Sequence, residues 1–121
     1  MTVSFDFDGV AEHTELAQLA SSLQATGHQT YILTGRKSDS GIRELLNNLG
    51  FPSETEIITK AGHDGSIRDF KSKMLQEIGA DLYIDADADF VLPAWHNTKV
   101  LTFQRSRLTF GYVSRNKKVD R

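Results

Sequence analysis

The chain has 121 residues, of which 39% are hydrophobic and 25% charged, with a formal net charge of −2. This size predicts one domain with one sizeable core, and the charge argues against wholesale wrapping of nucleic acid. Cysteine is absent, which excludes disulfides and thiolate metal sites. Because no apolar run approaches the roughly 20 residues that span a bilayer and no signal peptide precedes the first strand, we expect a cytoplasmic protein without a membrane partner.

The distribution of apolar residues predicts alternating strands and helices. Short apolar runs predict strands over residues 3–8, 30–33, 56–59, 81–84 and 100–103. Between them, apolar residues recur at helical spacing in three stretches, which begin near Thr14, Asp39 or Ser40, and Ser66. A shorter helix is predicted over residues 90–96.

Strands that alternate with helices through short connections are typical of parallel sheets. We therefore predict an α/β fold, a Rossmann-like parallel sheet of about five strands in the order 3-2-1-4-5, with helices on both faces. The connections that follow the first strand and the third strand are too short to hold a cap domain.

The domain is predicted to cover residues 1–104, followed by a basic tail over residues 105–121. The tail holds six basic residues and one acid, Asp120. Its residues 108–113 would suit an added edge strand. The simplest interpretation of the tail is a solvated end of the chain, and the alternative is contact with a nucleic-acid backbone.

Two carboxylates close the first predicted strand, in the run Asp6-Phe7-Asp8-Gly9. Side chains of a strand alternate between its faces, so Asp6 and Asp8 are expected on one side and Phe7 on the other. Gly9 permits a sharp turn of the backbone. Two neighbouring acids repel each other unless a cation is present, so the pair predicts a cation site.

Two further strand ends carry polar residues: Thr34-Gly35-Arg36 after the second strand and Asp85-Ala86-Asp87-Ala88-Asp89 after the fourth. In an open α/β sheet, the carboxyl ends of the strands meet at the edge where ligands bind. Several carboxylates and a hydroxyl at this edge suit a magnesium ion and a phosphoryl group.

Lys71 is the cation predicted to join this edge. At 100° per residue it falls among the apolar residues on the inner side of the third helix, whereas Lys73 points to the opposite side. A lysine on an inward face must extend to water or pair with an acid. The acids at the strand ends would satisfy it.

In these features the sequence resembles phosphatases of the haloacid dehalogenase superfamily. The resemblance covers residues 2–103 and rests on four motifs in order: Asp6-Phe7-Asp8-Gly9-Val10, Thr34-Gly35-Arg36, Lys71 on a helix, and Asp85 with the acids that follow. The Thr-Gly-Arg form is most similar to phosphatase domains that remove 3′-phosphates from nucleic-acid ends, as in polynucleotide kinase 3′-phosphatases, and to nucleotidases.

The resemblance implies a magnesium-dependent phosphomonoesterase that forms an aspartyl-phosphate. It implies that Asp6 is the nucleophile and Asp8 the proton donor and acceptor. It places the metal on Asp6, the backbone carbonyl of Asp8, and Asp85. The sequence departs from the family where Ala86 follows Asp85, and the spacing then favours Asp89 as the further metal ligand, with Asp87 as the alternative.

The resemblance also implies the groups that bind substrate. Thr34, the backbone N–H of Gly35, and Lys71 would bind phosphoryl oxygens. Arg36 would contact a second phosphate or another part of the substrate, although a surface ion pair explains an arginine here equally well.

Two other functions remain open. The altered fourth motif is compatible with a non-catalytic binding module of the same fold. A phosphatase without a cap has an open site, so a phosphoprotein or a small metabolite is an alternative to a nucleotide or a nucleic-acid end. A phosphoacceptor receiver domain fits less well, because there the acidic pair and the phosphoacceptor lie on different strands.

Overall fold

The structure is a computed structural model that describes residues 1–104. Five strands are present: β1 (Thr2–Asp6), β2 (Gln29–Leu33), β3 (Glu56–Ile58), β4 (Leu82–Asp85) and β5 (Lys99–Thr102). Three helices connect them: α1 (Thr14–Ala25), α2 (Ile42–Leu49) and α3 (Ile67–Glu77). The predicted tail and its added strand lie outside the described residues.

The five strands form one parallel sheet in the order β3-β2-β1-β4-β5. This confirms the predicted fold and strand order. The order places β1 at the centre, between β2 and β4, so that the ends of these three strands are neighbours. In the register of β1 with β4, Ser4 is paired with Tyr83 and Phe5 with Ile84.

Alternation along the strands divides the interior into two cores. Val3 and Phe5 of β1 pack with α1 and α2 on one face. Tyr83 of β4 packs with Phe70 and Leu75 of α3 on the other face. The even-numbered positions of β1 thus face α3, which explains how a residue of α3 meets the end of β1.

Two local predictions are wrong. The first strand ends at Asp6, and the chain then makes an irregular turn over Phe7–Ala11. Within this turn the backbone at Gly9 has φ +81°, a conformation that favours glycine. The segment 90–96 forms no helix, and Trp95 within it is 61% exposed.

None of the helices in residues 1–104 has the length and the apolar composition that crossing a bilayer requires.

Helix α3 begins where the sequence predicts. The hydroxyl of Ser66 accepts a hydrogen bond of 3.0 Å from the backbone N–H of Asp69. This cap satisfies one of the free N–H groups of the first turn. Helix α3 carries Lys71 in its second turn, so the cap fixes the start of the helix that holds the predicted lysine.

Replacement of Ser66 by alanine should lower the free energy of unfolding by about 1 kcal/mol, because the N–H of Asp69 loses its partner. Chemical denaturation of the two proteins measures this difference. Ser22→Ala, at an exposed position within α1, is the matched control and should have little effect. Equal losses in both variants would contradict a specific role of the cap.

Candidate functional site

A buried lysine joins two aspartates at the carboxyl edge of the sheet. The Nζ atom of Lys71 lies 2.9 Å from Oδ1 of Asp6 and 3.8 Å from Oδ2 of Asp85. All three side chains are almost fully removed from solvent, with exposures of 8%, 12% and 4% for Lys71, Asp6 and Asp85. The structure therefore brings together three residues that were predicted from separate parts of the sequence.

This cluster carries more negative than positive charge. Two ionised carboxylates face one ammonium group, and burial makes the remaining charge costly. Burial raises the pKa of Asp6 from 3.8 to about 6, and the charge of Asp85 adds to this rise, whereas Lys71 opposes it. The cluster is consequently a place where an additional cation would be stabilised.

Tyr83 is a member of the cluster that the sequence analysis missed. Its side chain is fully buried, and its hydroxyl oxygen lies 2.7 Å from Nζ of Lys71. Burial, together with the charges of Asp6 and Asp85, raises the pKa of Tyr83 above its usual range, so the hydroxyl remains protonated. The signal available in the sequence was its position two residues before Asp85, on the same face of β4.

Asp8 does not join the cluster. Its carboxylate forms a bidentate ion pair with Arg36, in which Nη2 lies 2.7 Å from Oδ1 and Nε 3.2 Å from Oδ2. The side chains of Arg36 and Asp8 are 51% and 55% exposed. Because β1 ends at Asp6, strand alternation does not reach Asp8, and the expectation that Asp6 and Asp8 share a face as strand neighbours is wrong.

Arg36 also rests on an aromatic ring, since its guanidinium carbon lies 5.0 Å from the centre of Phe7. The hydrogen bond and the charge of Asp8 raise the pKa of Arg36 above its ordinary value. The structure thus places Arg36 in the surface ion pair that the sequence analysis weighed against a substrate contact.

The segment after β2 approaches α3 closely. Thr34 is fully buried, and its hydroxyl accepts a hydrogen bond of 3.1 Å from the backbone N–H of Arg36. A Cβ atom added to Gly35 would lie 2.9 Å from two side-chain carbons of Ile67. A side chain at position 35 would therefore force Ile67, in the first turn of α3, to shift.

The acidic run after β4 is held in turns by hydrogen bonds from its backbone N–H groups to its own carboxylates. The N–H of Asp87 donates to Oδ1 of Asp85, and the N–H of Asp89 donates to Oδ1 of Asp87, each over 2.8 Å. The side chain of Ala86 packs against the turn after β1, where a Cβ on Gly9 would be only 3.1 Å from Cβ of Ala86. This close approach favours a small residue at position 86.

A cleft of about 290 Å³ opens above the cluster. It is lined by Asp6, Lys71, Asp85, Asp87, Ile67, Arg68 and Phe90. Asp87 and Asp89 are both exposed, but only Asp87 lines the cleft, so the geometry favours Asp87 over Asp89 as a third acid. Arg68 and Ile67 were also missed, because an exposed first turn of a helix has no distinctive pattern in the sequence.

The predicted set of four metal ligands is not assembled. In residues 1–104, no three acidic or histidine side chains converge in the manner of a metal centre. Asp6 and Asp85 are adjacent, but Asp8 pairs with Arg36 and Asp89 lies outside the cleft. Magnesium is commonly held by only one or two carboxylates, with water and substrate phosphate as further ligands. The oxygen donors and excess negative charge at Asp6 and Asp85 fit that mode.

Comparison of the chain with known protein families, with curated proteins and with solved structures finds no match.

The pKa of Asp6 predicts a specific pH dependence of stability when divalent cations are removed. Between pH 3.8 and about 6 the folded protein retains a proton on Asp6 that the unfolded chain has released. The contribution of Asp6 to the free energy of unfolding is therefore fully present below pH 3.8 and is lost as the pH rises through about 6.

Urea denaturation in EDTA across this interval measures the effect. Asp6→Asn should remove this decline, and the exposed control Asp39→Asn should retain it. A decline of equal size in the Asp6→Asn protein would show that another group causes it.

Gly35→Ala should destabilise the protein by about 1–3 kcal/mol, the usual cost of overpacking. Thermal or chemical denaturation measures this cost. The double variant Gly35→Ala/Ile67→Ala tests the cause, since removal of the Ile67 branches should recover part of the loss. Strictly additive effects would mean that the new Cβ collides with something else.

Proposed function

We propose that this protein is a magnesium-dependent phosphomonoester hydrolase that acts through an aspartyl-phosphate intermediate. The observation that carries the proposal is the contact of Lys71, from α3, with buried Asp6 and Asp85 at the ends of β1 and β4. The resemblance to haloacid dehalogenase phosphatases assigns a role to each of these groups. The strand order supports it, because ligands of such sheets bind at this edge.

In the proposed reaction, a carboxylate oxygen of Asp6 attacks phosphorus and displaces the alcohol, forming an acyl phosphate. Asp8 donates a proton to the departing oxygen and then accepts a proton from the water that hydrolyses the intermediate. Hydrolysis breaks the phosphorus–oxygen bond to Asp6, releases inorganic phosphate and restores both carboxyl groups.

The remaining groups of the site would bind the phosphoryl group and the metal ion. Lys71 compensates the carboxylate of Asp6 and then the phosphoryl oxygens. The resemblance assigns the same oxygens to Thr34 and the N–H of Gly35, although Thr34 is fully buried and neither residue lines the cleft. Asp6, Asp85 and the carbonyl oxygen of Asp8 would hold Mg²⁺. Bound there, Mg²⁺ would supply positive charge that lets an anionic carboxylate approach an anionic phosphate.

The ion pair of Asp8 with Arg36 bears on substrate choice. A phosphate binds a guanidinium through the same bidentate geometry as a carboxylate does. A substrate with a second phosphate could therefore engage Arg36 and release Asp8 for proton transfer. This favours a nucleotide or a 3′-phosphorylated nucleic-acid end, and contact of nucleic acid with the basic tail would add salt-dependent affinity.

One observation favours the alternative, a non-catalytic module that binds phosphorylated ligands. The carboxylate that should transfer protons, Asp8, is engaged by Arg36 rather than placed beside Asp6. Turnover distinguishes the two functions, because a binding module would retain phosphate without hydrolysing its ester.

Asp6→Asn should abolish magnesium-dependent hydrolysis of a generic phosphomonoester such as p-nitrophenyl phosphate, because an amide oxygen is a poor nucleophile. Phosphate release is measured with magnesium and with EDTA. The control Asp39→Asn, at an exposed position, should retain activity. Full activity of Asp6→Asn would exclude the proposed nucleophile.

A substrate panel then distinguishes the candidate substrates. It compares 3′-phosphorylated oligonucleotides, mononucleotides, sugar phosphates and phosphopeptides at equal concentration. If kcat/KM is highest for the 3′-phosphorylated oligonucleotide and falls when salt is added, the result would support nucleic-acid ends as the substrate. Phosphate release from none of these esters by the wild-type protein would contradict the proposed function.

A further inference from the structure

The hydroxyl of Tyr83 is closer to the lysine than one of the two carboxylates of the cluster is. It is 2.7 Å from Nζ of Lys71, whereas Nζ is 3.8 Å from Oδ2 of Asp85. The distance from Nζ to Asp6 is only 2.9 Å. Lys71 thus makes a direct hydrogen bond to Asp6 and to Tyr83, but its separation from Asp85 exceeds hydrogen-bond length.

The proton positions follow from the chemistry of the groups. A lysine ammonium only donates hydrogen bonds, so the hydroxyl oxygen of Tyr83 must be the acceptor. The hydroxyl proton is then free to donate, and the charge of Asp85 is close enough to raise the pKa of Tyr83. The two hydrogen bonds of Lys71 therefore go to Asp6 and Tyr83, and not to Asp85.

Tyr83 is held firmly in this position. Its ring is fully buried and packs edge-on against Phe90, with 5.2 Å between the ring centres. The ammonium of Lys71 also lies near the faces of both rings, 5.4 Å from the centre of Tyr83 and 5.9 Å from that of Phe90. The hydroxyl is consequently held in a fixed position beside the ammonium group, where it occupies one of the hydrogen bonds that Lys71 can donate.

We propose that Tyr83 is a positioning residue that commits Lys71 to Asp6 and keeps Asp85 available to a divalent cation. The proposal rests on the magnesium site of the proposed function. Without the hydroxyl, Lys71 would be able to shorten its ion pair with Asp85 to a direct hydrogen bond. A cation would then have to displace an ammonium group from one of its two carboxylates.

The test is Tyr83→Phe, which removes the hydroxyl and retains the ring. Binding of Mg²⁺ to the wild-type and variant proteins is measured by calorimetry without substrate. We expect about a tenfold weaker affinity in the variant, the effect typical of one hydrogen bond to a charged group. Tyr31→Phe is the matched control, because it also removes a tyrosine hydroxyl, but from β2, which pairs with β1 on the side opposite β4. This variant should bind Mg²⁺ as the wild type does.

A double-mutant cycle with Lys71→Met tests whether Tyr83 acts through Lys71. In the Lys71→Met background there is no ammonium to pair with Asp85, so adding Tyr83→Phe should change the Mg²⁺ affinity little. An equal loss in both backgrounds would overturn the proposal, because Tyr83 would then act on Asp85 alone. If Tyr83→Phe alone does not fold, a weaker Mg²⁺ affinity of the double variant than of Lys71→Met would still overturn the proposal.

The outcomes separate this inference from the proposed function. A wild-type protein that binds Mg²⁺ and a Tyr83→Phe protein that binds it equally well would overturn the role of Tyr83 only. A wild-type protein without measurable Mg²⁺ binding would overturn the metal-dependent function and this inference together.

Discussion

The contact of one ammonium group with two carboxylates is the interaction on which the site depends. Lys71 lies in a nearly dry environment, where Asp6 and Asp85 without it would be strongly destabilising. Yet the charges of the three groups do not balance, and burial, to which the charge of Asp85 adds, raises the pKa of Asp6 in spite of Lys71. An interior that stabilises its own charges only in part is prepared for a further cation, and this imbalance connects the fold to the proposed chemistry.

The sheet creates this contact through its strand order. With β1 between β2 and β4, the ends of three strands meet, and alternation directs Asp6 toward α3 rather than toward α1 and α2. Helix α3, which packs on the face of the sheet opposite α1 and α2, then supplies the lysine. The same topology separates Asp8, which lies beyond the end of β1 and is stabilised at the surface by Arg36. Two acids that are neighbours in sequence therefore occupy unlike environments, one buried and one half-exposed.

Much of this organisation can be predicted from the sequence. The alternation of strands and helices predicted the parallel sheet, and the helical spacing around Lys71 predicted its inward orientation, because both depend on local periodicity. The cap at Ser66 was predictable for the same reason. The helix over residues 90–96 was predicted wrongly, because a short apolar run carries little information on its conformation. The roles of Asp6 and Lys71 in catalysis remain proposals.

By itself, the sequence determined the fold class, the strand ends that carry polar residues and the residue of α3 that faces them. These follow from side-chain periodicity and from chain geometry. Only the tertiary structure decided which groups meet: Asp85 rather than Asp8 accompanies Asp6, and Lys71 donates a hydrogen bond to Tyr83 rather than to Asp85. Such choices depend on where a strand stops and on distances of about an ångström between side chains from distant segments. No pattern within one segment encodes them.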